Sequence, residues 1–275
     1  MNHDFLLCDG LAAQLYHSVK NLPIIDYHNH LSLNDILSAK RFRNITKLWL
    51  TSDPYKHRLM RICGVEEKYV TGEATDYEKF VKWCSVFPDI LGSPVYDWGL
   101  LELQTVFGIS EVPNADNAND LWNILNEKLA SNDFTGAEIL NKFNIEYAAP
   151  CASIVDNIDS FLNSEKFAPS LRGDDMVAPT MEFTAKLSKI SGQCIRSLSD
   201  FFSAIETRLE LFHKAGCRFS DHALDDNFKY ISCDNSTADI IFSKIITGET
   251  ITEKESETLR SYILRQLGAM YSKKK

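Results

Sequence analysis

"NLPIIDYHNHLSL", residues 21–33, decides how this chain is read. A short apolar run, Pro23-Ile24-Ile25, leads into Asp26, Tyr27, His28, Asn29 and His30 before Leu31. Side chains alternate across a strand, so His28 and His30 project from one face. Two imidazoles on one face at a strand end form a natural half of a metal site. Zinc and related divalent ions accept imidazole nitrogen and need a third and a fourth ligand. With seven histidines in 275 residues, chance alone gives about 0.2 such pairs. A pair of structural histidines is therefore the alternative reading.

Upstream of this stretch, residues 4–20 read as a helix, with Leu7, Leu11, Leu15 and Val19 recurring every fourth position. Downstream, 34–143 is helical almost throughout and interrupted by turn signals such as Ser52-Asp53-Pro54 and Gly92-Ser93-Pro94. Trp49, Tyr55, Trp83, Phe87, Tyr96, Trp98 and Phe107 fall in this block, most at helical spacing, and are expected in its core. The rhythm then changes. "NIEYAAP" (144–150), "FAPSLRG" (167–173) and "GCRFSDHAL" (216–224) read as strands. "IVDNIDSFLNS" (154–164) and the remaining stretches read as helices.

Short strands alternating with helices predict an α/β fold with a parallel sheet, whose chemistry belongs at the strand C-terminal ends. His28 with His30, Cys151, Arg172, and Asp221 with His222 all stand there. The expected organisation is 1–33 for the N-terminal helix and strand one, 34–143 for a helical insertion, and 144–275 for strands two to four with their helices.

Composition narrows the function. A net charge of −9 and a pI near 5.3 argue against nucleic acid or an anionic membrane as the main partner. An acidic small molecule would have to be met by locally placed Arg or Lys. No apolar run is long enough for a transmembrane helix, and "MNHDFLLCDGLAAQLYHSV" lacks the shape of a signal peptide. The expectation is a cytoplasmic protein. The seven cysteines, odd in number and without a CxxC pair, are expected to be free and mostly buried thiols.

Two further clusters bear on chemistry. "SDPYKHRLMR" (52–61), if helical, puts Tyr55, Arg58 and Arg61 on one face. Such a face suits a carboxylate and hydroxyls, or is simply a solvated basic surface. In "PSLRGDD" (169–175) and "FSDHAL" (219–224), Arg172, Asp221 and His222 lie at strand ends, with helix capping as the alternative role. Asp221 suits orientation of a metal-bound group, and His222 suits ligation or proton transfer. P-loop, GxGxxG, GxSxG and HExxH patterns are absent.

"LPIIDYHNHL" closely resembles the first-strand motif of the uronate (glucuronate) isomerases, members of the amidohydrolase superfamily. "NITKLWLTSDPYKHRLMRICGVEEKYVTG", "DWGLLELQTVFGI" and "GCRFSDHAL" resemble later blocks of the same family in the same order, over essentially the whole chain. The resemblance implies a TIM-type (β/α)8 barrel with a helical insertion after strand one, here its N-terminal part of about four β/α units. It implies interconversion of D-glucuronate with D-fructuronate, or D-galacturonate with D-tagaturonate. On matching positions, His28 and His30 are metal ligands, usually for zinc. Tyr55 contacts substrate near the reacting carbons, with Arg58 nearby. Arg172 pairs with the substrate carboxylate and Asp221 forms part of the site wall.

The sequence departs from the family pattern at three places. Pro150-Cys151-Ala152-Ser153-Ile154 stands where Thr-Thr-Asp-Asp-Pro is usual, Asp53-Pro54-Tyr55 where Asp-His-Tyr is usual, and Arg172-Gly173-Asp174 where Arg-Pro-Asp is usual. The family's metal histidine on strand five and aspartate on strand eight have no counterpart, so the remaining metal ligands are expected to be missing. Little isomerase activity is expected of the 275 residues alone. The alternative is an inactive homologue with a structural role, in which a homo-oligomer covers the sheet edges. A metal-dependent hydrolase of the same superfamily is a third reading, disfavoured by Tyr55 and Arg172.

Overall fold

The structure, a computed structural model, describes residues 7–32, 36, 41–131, 134–162, 164–224 and 227–274. It divides into two compact units, Met1–Ile24 with Leu33–Ile145, and Ile25–Ser32 with Glu146–Lys275. Among the described residues no helix is long and apolar enough to cross a membrane.

The first unit is helical and its ends are written in the sequence. Asp53 accepts hydrogen bonds from the Tyr55 and Lys56 amides and, with Pro54 in the first turn, starts Pro54–Ile62. Thr75 and Glu78 form a reciprocal capping box for Asp76–Val86. Ser93 opens Pro94–Phe107, and left-handed Gly108 closes it.

The core of this unit gathers Ile45, Trp49, Phe80, Trp83, Phe87, Leu103, Leu125 and their neighbours. Of the aromatics expected inside, Trp49, Trp83, Phe87 and Phe107 are buried and Tyr96 packs against them. Tyr55 and Trp98 instead lie exposed, edge-to-face with one another at 6.2 Å. Gly99 makes the aromatic packing fit, because a Cβ there would come within 2.8 Å of the Phe87 ring.

One charged side chain is held inside. Lys56 is 3% exposed, and its Nζ reaches Asp53 at 3.1 Å, Glu102 at 3.0 Å and the Trp49 carbonyl at 3.0 Å. The indole N–H of Trp49 donates to the same Glu102 oxygen. A buried ammonium is tolerable only with such compensation.

In the second unit β1 (Ile24–Asn29), β2 (Ile145–Ser153), β3 (Ser170–Arg172) and β4 (Ser220–Asp221) form one sheet in that order. The β2–β3 and β3–β4 pairs are parallel, with Ser153 opposite Arg172 and Arg172 opposite Asp221. Helices Met181–Ser191, Leu198–Lys214, Asn235–Thr247 and Glu253–Ser272 bring Leu187, Phe201, Phe212, Phe242, Ile263 and Leu267 into its core. The unit is a parallel β/α arrangement of the barrel kind, with strands joined through helices.

Several expectations need correction. The first helix is Gly10–Val19, begun by an Asp9 cap, and buries none of its residues; Leu11, Leu15 and Val19 are exposed. The cysteines are free, but only Cys84 is buried. The helix expected over 154–164 is a single turn at Asp159–Phe161. There the Asp156 carboxylate takes the Ser153 amide and the Asn157 side chain takes the Asp159 amide, so local side chains outcompete a helical ladder. Buried Arg208 then occupies the Ile154 and Asp156 carbonyls at 2.9 and 2.6 Å. Residues 4–6, 33–35 and 37–40 of the sequence reading lie outside the described residues.

All four tryptophans, at 49, 83, 98 and 122, belong to the helical unit, so its unfolding can be followed separately by fluorescence. Lys56→Met keeps the aliphatic stem and deletes the charge. It should cost about 2 kcal/mol and lower the urea midpoint of the fluorescence transition. An unchanged midpoint would mean that the cation contributes nothing to this core.

Candidate functional site

The site is built on the C-terminal ends of the four strands. Parallel pairing puts Ser153, Arg172 and Asp221 side by side on one face. Two residues earlier, alternation returns the same face at Cys151 and Ser170, which are themselves register partners.

Arg172 organises the charges. Its Nε donates to Asp174 at 2.8 Å and its Nη1 to Asp221 at 2.9 Å. Hydrogen bonds from the Ala223 amide and then from Arg172 draw the Asp174 carboxyl below its usual range. These outweigh the burial that acts first and in the opposite sense. The second Asp221 oxygen, Oδ1, is buried without a hydrogen-bond partner among the described residues. His28 Nδ1 stands 3.8 Å from it.

The two histidines behave as the alternation requires. The rings of His28 and His30 lie 5.3 Å apart, edge to face. A third donor joins them, because Cys151 Sγ is 3.5 Å from His28 Nδ1 and 3.7 Å from its Nε2. One ligand atom from each of His28, His30 and Cys151 lies within 4.8 Å of the other two. The Cys151 thiol is pushed up from its ordinary pKa, first by burial and then by Asp221, against the pull of Arg172.

A divalent metal fits this set. Zinc bonds of about 2.0–2.3 Å place tetrahedral ligand atoms roughly 3.3–3.8 Å apart, a spacing that small side-chain adjustments reach from here. Two imidazoles and a thiolate leave a fourth position open, as catalytic zinc sites do. The unpaired Asp221 oxygen is placed to take an N–H from His28 once the other ring nitrogen binds a cation. Beside the two histidines the structure places one further potential donor, Cys151. In the sequence it stands out as a strand-end residue and a departure from the family pattern, with nothing nearby to mark it as a donor.

Ser153 Oγ and Ser170 Oγ are also buried without partners among the described residues. An open cavity of about 520 Å³ has His28, Ser170 and Asp221 in its wall.

The remaining sequence candidates belong to other elements. Tyr55 and Arg58 stand on an exposed face of Pro54–Ile62 in the helical unit, where Arg61 is taken up by Glu67 through two hydrogen bonds of 2.8 and 2.6 Å. His222 is turned away from ligation. Its Nε2 pairs with the Tyr271 hydroxyl at 3.1 Å, and its ring covers Gly173 so closely that a Cβ there would sit 2.1 Å from Cε1. The backbone at Gly173 is ordinary, with φ −101°, so glycine is required for space and not for conformation. Burial lowers the His222 pKa, against the opposing pull of Asp174 and Asp221.

The glucuronate isomerase family profile matches residues 1–275. The chain belongs to the glucuronate isomerase family. It is 38% identical over 284 aligned residues to the uronate isomerase of Caldanaerobacter subterraneus, covering 99% of this chain and 61% of that protein. It is 39% identical to the uronate isomerase of Caldicellulosiruptor saccharolyticus with the same coverage. The crystal structure of the Thermotoga maritima uronate isomerase superposes with a TM-score of 0.92 at 29% identity, over 99% of this chain and 62% of that one. The chain therefore spans about three fifths of the length of these relatives. The fold is the N-terminal part of a TIM-type (β/α)8 barrel with a helical insertion after strand one.

Gly173→Ala should destabilise the second unit by about 1–3 kcal/mol through the clash with His222. His222→Ala combined with it should recover much of that loss, a coupling readable in a double-mutant cycle. Additive losses would show that the ring does not set the constraint.

Stability should also depend on pH. His222 and buried His57 both have pKa values lowered by burial. The unfolded chain therefore binds protons at these positions more readily than the folded one, and stability falls as the pH drops through about 6.5. Melting temperatures at about pH 7.5 and pH 5.5 should differ, with a smaller difference in His222→Gln.

Proposed function

We propose that the protein containing this chain is a uronate isomerase, catalysing aldose–ketose isomerisation of D-glucuronate to D-fructuronate or D-galacturonate to D-tagaturonate. The observation that carries this reading is Arg172, fixed by two carboxylates on the same strand-end face as His28 and Cys151. A guanidinium so placed offers a fork to a carboxylate, while the histidine pair would face the sugar's remaining oxygens.

Isomerisation moves a proton between C2 and C1. The metal, which we take to be zinc held by His28 and His30, would supply Lewis acidity toward the sugar's oxygens. Arg172 binds and orients the acid end. Asp221 holds Arg172 through one oxygen and faces His28 with the other, so it aligns the carboxylate-binding and metal-binding halves. The unpartnered Ser153 and Ser170 hydroxyls suit sugar hydroxyls, which both donate and accept. Tyr55 and Arg58 are assigned as substrate contacts on motif similarity alone. A cytoplasmic location accords with the free thiols and belongs to this same reading.

An inactive relative would have little reason to keep a guanidinium beside three buried oxygen atoms that lack hydrogen-bond partners among the described residues, since each costs free energy in a protein that only needs to fold.

The test is binding, measured by proton NMR of the sugar in the presence of the metal-loaded chain. D-Glucuronate resonances should broaden, whereas those of D-glucose, which lacks the carboxylate, should not. Arg172→Met should weaken D-glucuronate binding by about 10- to 100-fold. Equal binding of both sugars, or wild-type affinity in Arg172→Met, would defeat the reading.

A further inference from the structure

We infer that Cys151 is a metal ligand, so that this chain carries a His2Cys site on His28, His30 and Cys151 that selects thiophilic divalent ions such as zinc and cobalt over magnesium and calcium. The inference extends the metal-dependent reading proposed above, and it rests on geometry within one compact unit.

Three independent features support it. Cys151 Sγ is 3.7 Å from His28 Nε2, the ring nitrogen that does not face Asp221, although 123 residues separate them in sequence, and one donor atom from each of the three residues lies within 4.8 Å of the others. The cluster lies at strand ends on a rigid parallel ladder, with Cys151 in register with Ser170, so the thiol does not depend on a loop to reach the imidazoles. Asp221 faces His28 Nδ1 at 3.8 Å with a buried oxygen that has no hydrogen-bond partner among the described residues. That is where a carboxylate fixes the tautomer of a ligating histidine.

The chemistry sets the selectivity. Oxygen-seeking magnesium and calcium avoid thiolate, whereas zinc and cobalt accept a mixed nitrogen and sulfur set. Binding replaces the thiol proton by the metal: the S–H bond breaks, the sulfur–metal bond forms, and the proton leaves to solvent. No electron transfer is involved.

Cobalt(II) titration of the whole 275-residue chain tests this, because a cobalt–thiolate bond gives a near-ultraviolet charge-transfer band that imidazole ligands do not. The band should saturate at one equivalent. Cys151→Ser should abolish it and weaken cobalt binding by about a hundredfold, while Cys217→Ser should keep it. Magnesium in excess should not displace the cobalt.

A second measurement needs no variant. Zinc should protect Cys151 from iodoacetamide, read by peptide mass spectrometry, while the exposed Cys8 and Cys194 continue to react. A full band in Cys151→Ser, or an unprotected Cys151 in the zinc-loaded chain, overturns the inference. The two readings also fail separately. A cobalt–thiolate band without D-glucuronate binding upholds the ligand set against the isomerase reading, and sugar binding without the band does the reverse.

Discussion

The ion pair between Arg172 and Asp221 is the interaction on which the arrangement of the site depends. These are register partners on adjacent parallel strands, so the hydrogen-bond ladder itself brings the charges together at 2.9 Å. With Asp174 on the other side of the guanidinium, Arg172 has little freedom to swing. Asp221, held by one oxygen, must then present the other toward His28. Electrostatic order here is a consequence of backbone register, and a slip of one residue would reverse every side chain involved.

Features dictated by local rules are the most legible in the sequence. His28 and His30 can be paired from alternation alone, and Arg172 and Asp221 can be found because an apolar run switches to polar at a strand end. Caps such as Asp53, Thr75 and Ser93 mark the helix starts in the same local way. Cys151 is hidden because its partner lies 123 positions earlier, and only the pairing of strands brings them together. The turn at Asp159–Phe161 misleads for a related reason. Its apolar spacing suits a helix, but Arg208, some fifty residues on, captures the carbonyls a helix would need. The exposed apolar face of Gly10–Val19 makes the same point, since periodicity marks an amphipathic face without specifying what covers it.

Charge ties these observations to the proposed chemistry. The chain carries a net −9, and at the strand ends Asp174 and Asp221 outnumber Arg172. An anionic sugar approaching such a surface meets one cation already shared between two carboxylates. A divalent ion on the imidazoles would reverse the local balance, so on this reading metal and substrate are coupled electrostatically before any bond in the sugar is disturbed.

The bare backbone at Gly173 has a consequence for how this protein can vary. The volume a side chain would occupy there is filled by the His222 imidazole, which the Tyr271 hydroxyl holds from the Glu253–Ser272 helix. Positions 173, 222 and 271 therefore cannot drift separately. A relative with proline or any other side chain at the first must carry a smaller or differently aimed residue at the second, and the helix corresponding to Glu253–Ser272 then loses this anchor. Sequence change at this strand end should occur in correlated sets, with the three positions inherited together.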